Sequence, residues 1–132
     1  MPLTLHPCTP SDLPHAVLVE RKAYGPSPFS PILFPGPFPP NAFEGRVAEL
    51  TAQLADDPTT RWLKVVDSDR SGEEAAQGIA YAKYNLYLES APNDQGSRGF
   101  GDGCNVEACE MVFGGIAEVR RRVMAGMKCV CE

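Results

Sequence analysis

The sequence predicts an α+β domain: a mostly antiparallel sheet with helices on its faces, in the order β–α–α–β–β–α. Three observations predict it. Segments 9–23 and 42–56 place apolar residues at helical spacing behind residues that cap helices. Two runs rich in β-branched and aromatic residues, TTRWLKVVDS and GIAYAKYNLYLE, flank a short polar turn, as the strands of an antiparallel hairpin do. A third helix-like segment, 106–124, follows a glycine-rich stretch.

The elements follow in order. LTLH at 3–6 alternates apolar and polar, the pattern of a half-buried strand. In TPSDL, Thr9 caps a helix, Pro10 fits its first turn and Asp12 completes a capping box. The helix runs to about Ala23 and buries Leu13, Ala16 and Val17. Residues 25–40, GPSPFSPILFPGPFPP, hold seven of the thirteen prolines, which predicts an extended connector. Its apolar side chains make it a lid on the core, a wall on the substrate side, or a proline-rich ligand for a recognition module. Asn41 caps the next helix, with Phe43, Val47, Leu50 and Leu54 in one stripe. The hairpin comes next, with Glu73 and Glu74 in its turn and Trp62 in the core or at a strand edge. Residues 90–103 form a flexible glycine-rich loop. Asn105 caps the last helix, whose buried stripe is Val106, Cys109, Val112 or Phe113, Ile116, Val119 and Val123. Gly114 and Gly115 predict a bend or a close packing contact, and Gly126 the helix stop.

Composition narrows the function classes. The chain has 132 residues, 43% of them hydrophobic, which fits a single domain. A net charge of −5 excludes general nucleic-acid binding, and Arg120, Arg121 and Arg122 read as a solvated helix face. No apolar run is long enough to span a membrane. The N-terminal MPLTLHPCTPSD lacks the regions of a signal peptide. With an odd count of five cysteines, that places the chain in the cytoplasm with its thiols reduced.

Few residues carry a chemical motif. Cys104 with Cys109, and Cys129 with Cys131, do not have the spacing of a zinc site, so no metal is expected. His6 and His15 stand alone, without the partners of a catalytic triad. RGFGDG at 98–103 fits the form Arg-x-x-Gly-x-Gly used to bind the pyrophosphate of coenzyme A, but no strand runs directly into it. The catalytic residue is unknown at this level.

The opening LTLHPCTPSDLPHAVLVERKAYG, the strand GIAYAKYNLY and the helix FGGIAEVRRRVMAG resemble the GNAT superfamily of N-acetyltransferases, in particular a fungal-type branch. The likeness covers residues 1 to about 127. It implies the N-terminal part of an acyl-CoA N-acyltransferase fold, with acetyl-CoA as cofactor and a small-molecule or peptide amine as acceptor. In that family a fourth strand follows the helix and gives backbone groups to the pantetheine arm, then enters a Gln/Arg-x-x-Gly-x-Gly/Ala loop that holds the pyrophosphate. The tail MKCVCE reads as unrelated to that strand and as a gene-model artefact, so residues 1–132 read as a single partial domain truncated before the cofactor motif. On this reading no residue inherits the cofactor role, and the resemblance implies an acceptor-side wall at Tyr24, Phe29 and Phe34. Acetyl transfer is then impaired or inactive. The alternative is a non-catalytic binding module that associates with itself through the uncovered edge of the hairpin's second strand or an open apolar face, or a fragment without independent function.

Overall fold

Thr9 and Asp12 start the first helix as a reciprocal pair: Thr9 N–H donates to Asp12 Oδ2 at 2.8 Å, and the capping box is complete. They enclose a 3-10 turn, Pro10–Asp12, that feeds α1 (Leu13–Tyr24). A short helix α2 (Ser30–Leu33) interrupts the proline-rich connector, and α3 (Ala42–Asp56) follows it. The computed structural model describes residues 2–71, 76–89, 99–124 and 129–131. The turn at Glu73 and Glu74, loop residues 90–98 and the helix stop at Gly126 lie outside the described residues.

Strands β1 (Leu3–Pro7), β2 (Thr60–Asp67), β3 (Ala80–Tyr87) and β4 (Cys129–Cys131) form one antiparallel sheet in the order β1-β2-β3-β4. The α+β class stands, and the hairpin pairs Trp62 with Lys83 and Lys64 with Tyr81. The end of the chain adds a short strand to the expected order: Cys129–Cys131 pairs with β3, Asn85 opposite Cys131 and Tyr87 opposite Cys129. That pairing takes up the edge of β3 over Asn85–Tyr87, so the free edge expected there moves outward onto β4.

Strand side chains alternate between faces. Trp62 on β2 packs with Leu13, Val17 and Leu50, so α1 and α3 cover the same sheet face. Phe43, Val47 and Leu54 complete this cluster, and Arg21 stacks its guanidinium 5.2 Å from the Phe43 ring. The indole Nε1–H of Trp62 is buried without an acceptor among the described residues. The opposite sheet face carries Leu3, Leu5, Leu63 and Val65.

The last helix differs most from expectation. It consists of α4 (Val106–Cys109), a π-helical turn (Glu110–Gly114) and α5 (Gly115–Met124). Of its predicted stripe only Cys109 is buried; Ile116, Val119 and Val123 are exposed by 54%, 62% and 62%. The helix is amphipathic, but among the described residues Ile116, Val119 and Val123 meet no covering element. A Cβ added at Gly114 or Gly115 would meet nothing within 4 Å beyond the helix's own backbone, so the irregularity is a widened turn and not a close packing contact. Cys109 instead joins α2: its thiol lies 3.4 Å from Leu33 O, and Asn105 N–H donates to that same carbonyl at 2.9 Å. The connector therefore clamps the start of α4 through Leu33, while Phe29, Ile32 and Phe38 stay exposed.

Candidate functional site

Five polar side chains meet where β1 hands over to α1. Cys8 lies just past β1, fixed by its N–H donating to Trp62 O at 3.0 Å. The capping turn supplies Asp12, and the first turn of α1 supplies His15. The hairpin register sets Lys64 and Tyr81 directly opposite each other. Lys64 Nζ donates to Asp12 Oδ1 at 2.6 Å and to Ala76 O at 3.1 Å. Both ion-pair partners are mostly buried, at 15% and 13% side-chain exposure. Gly78 N–H donates to the Tyr81 hydroxyl at 3.1 Å, and the same hydroxyl is hydrogen-bonded with His15 Nδ1 at 2.9 Å. Gly78 is required there: a Cβ would stand 2.7 Å from the Tyr81 ring.

The electrostatics of the cluster hold protons in place. Burial, reinforced by the Asp12 charge and partly offset by Lys64, pushes the Cys8 thiol up to about 11. Cys8 is thus a neutral thiol and a poor nucleophile. Burial also raises Tyr81, with the Gly78 N–H opposing it and Asp12 adding to it. For Asp12 burial alone would raise the carboxyl, but the hydrogen bonds from Lys64 and Thr9 outweigh it and hold the group below its ordinary value. The arrangement offers one protonated phenol against an imidazole, beside a closed ion pair. Both the phenol and the thiol keep their protons near neutral pH, so neither is an activated nucleophile. The residues come from four separate elements, and His15 and Tyr81 are 66 positions apart, so only the folded register brings them together. The isolated His15 carried no sequence signal beyond its place one turn after a capping box.

The predicted wall residues lie elsewhere. Tyr24 ends α1, Phe29 precedes α2 and Phe34 follows it, exposed by 69%, 64% and 38%. Ser30 Oγ donates to Tyr24 O at 2.7 Å, which folds the connector back on the end of α1. A shallow pocket of about 300 Å³ sits at the far end of the hairpin, lined by Thr59, Arg61, Leu86, Tyr87 and Glu89 among others, beside the β3–β4 pairing. Arg61 Nη1 there donates to Pro58 O at 2.6 Å and Thr60 O at 2.9 Å.

No protein-family model matches the sequence, and neither a curated protein nor a solved structure matches it.

The glycine pattern at 98–103 has a structural cause in its described part. Gly103 has φ +85°, and a Cβ on it would stand 2.7 Å from the Phe38 ring. Its carbonyl accepts from Gly36 N–H at 2.9 Å. The helix start beyond it is already capped, Asn105 Oδ1 accepting from Ala108 N–H at 3.2 Å, and Glu107 adds a negative charge in that first turn. A pyrophosphate does not fit such a terminus.

Proposed function

We propose that the chain is an N-acetyltransferase-family protein, built to hold the acceptor side of an acetyl transfer from acetyl-CoA to a small-molecule or peptide amine in the cytoplasm. One observation carries this reading. After the helical segment 106–124 comes a further strand, β4, paired antiparallel on β3, and the resemblance puts the strand that contacts the pantetheine arm after that helix. The outer edge of β4 fits that arm, since the strand pairs only with β3 among the described residues and leaves backbone groups free. Residues 99–105 do not fit the pyrophosphate, because Gly103 and Asn105 are committed to the connector. In the reaction the neutral amine nitrogen would attack the thioester carbonyl while backbone N–H groups hold the developing oxyanion; the carbon–sulfur bond then breaks, and the coenzyme A thiolate leaves and takes up the proton the amine nitrogen loses. Tyr24, Phe29 and Phe34 supply exposed aromatic surface for the acceptor. No helix among the described residues is long and apolar enough to cross a membrane.

On this reading the chain alone binds acetyl-CoA weakly and transfers acetyl groups slowly or not at all. Calorimetry with acetyl-CoA tests it: binding is expected at roughly millimolar dissociation constant and is lost in Val130→Pro, which removes a β4 amide. Absence of heat at millimolar coenzyme ends the claim for this chain. The second reading, a non-catalytic module that associates with itself, is favoured by the exposed leucines of β1 and the open stripe of α5.

A further inference from the structure

We propose that two copies of this chain join edge to edge through β1, about a two-fold axis at Thr4, so that the sheet continues from one copy into the other. The pairing does not depend on the acetyl-transfer reading. β1 ends the sheet order, and all five of its residues are exposed. Its backbone divides by parity. Cys8 N–H donates to Trp62 O and Pro2 O accepts from Ser68 N–H, both at 3.0 Å, while Thr4 and His6 stand opposite Val66 and Lys64. The even-numbered residues therefore turn their amides toward β2, and Leu3 and Leu5 turn theirs outward. Pro2 and Pro7 bracket this edge and have no N–H to give. The amide donors of the outer edge between them are those of Leu3 and Leu5.

A second copy running antiparallel satisfies both. Leu3 of one copy then exchanges hydrogen bonds with Leu5 of the other, and Thr4 faces its own counterpart on the axis. The side chains agree with this register. Leu3 and Leu5 share the sheet face turned away from α1 and α3, and are 53% and 63% exposed. Pairing brings four leucines together across the axis, continuous with Leu63 and Val65 on the same face. Edge strands that must stay single are kept so by fixed charge, by proline or by shortness, and here both prolines lie outside the two donors. Residues 2–7 carry no fixed charge, and His6 lies on the opposite side, hydrogen-bonded to Thr4 at 2.9 Å. A neutral edge whose donors and leucines are symmetric about one residue is self-complementary, which makes a second copy its occupant and not a charged partner.

Sedimentation velocity over a concentration series gives the first readout, and a concentration-dependent monomer–dimer equilibrium is expected. Leu5→Lys sets two like charges beside the axis and raises the dissociation constant by roughly tenfold or more. Thr4→Cys, oxidised mildly, is expected to yield a dimer whose mapped disulfide joins position 4 of both copies, because facing residues of a non-hydrogen-bonded pair are about 4.5 Å apart at Cα. A wild-type chain that stays monomeric throughout overturns the proposal. So does a dimer indifferent to Leu5→Lys, or one whose cross-link maps elsewhere. Should Leu5→Lys lose the wild-type circular dichroism spectrum, the cross-link at position 4 decides alone.

Discussion

Asp12 does two jobs with one carboxylate. Oδ2 closes the capping box on Thr9, and Oδ1 pairs with Lys64 at 2.6 Å. Removing the charge leaves a mostly buried ammonium opposite an amide, so Asp12→Asn is expected to cost about 2 kcal/mol in urea unfolding near neutral pH. The pH dependence follows from the sign of the shift. The folded carboxyl lies below its ordinary value, so its contribution is present above the unfolded value, about 3.9, and is lost as pH falls through the lower folded one. The acid limb of stability should flatten in Asp12→Asn, and an unchanged limb would show that the ion pair contributes nothing. Glu118 is different. Hydrogen bonds from Arg121 and Arg122 pull it to about 2, but all three lie in solvent on α5, where such pairs add little.

At the scale of elements, two kinds of glycine give opposite predictions. Gly103 combines φ +85° with the Phe38 ring pressed against it, so Gly103→Ala should destabilise by about 1–3 kcal/mol, read from the thermal midpoint. Gly114 ends the π-helical turn in open space, so Gly114→Ala should be neutral or stabilise by up to about 1 kcal/mol in the same measurement. Both glycines look alike in the sequence. Local signals were legible where they are local: the Thr9–Asp12 box, the Leu13, Ala16 and Val17 face, and both hairpin strands lie where cap chemistry and periodicity place them. The stripe on 106–124 shows the limit of that logic. Its period is helical, but period tells which residues would be buried together, not whether a partner surface is present to bury them.

Among the described residues the apolar interior is small and lies in two places. Leu13, Val17 and Leu50 hold α1 and α3 on the sheet, and Leu33 with Cys109 holds the connector on α4. Leu50 is 1% exposed at the centre of the first cluster. Leu50→Ala should cost about 2–5 kcal/mol, a large part of the roughly 5–15 kcal/mol that keeps an ordinary domain folded. Two-state chemical unfolding checks this, and a cost below 1 kcal/mol would mean that stability resides elsewhere. In the proposed β1 pairing, the uncovered leucines of β1 would add to that interior.

The sequence by itself determined the class, the two early helices and the hairpin, because capping, helical period and strand alternation act within a few residues. It also marked the proline-rich segment as something other than a helix or strand, although α2 and its grip on Cys109 were not visible. Only the tertiary structure decided that Cys129–Cys131 closes onto β3, that Asp12, His15, Lys64 and Tyr81 meet, and that β1 turns the amides of Leu3 and Leu5 outward. Each of these depends on strand register, and register is set by pairings between residues far apart in the chain, which no local pattern contains.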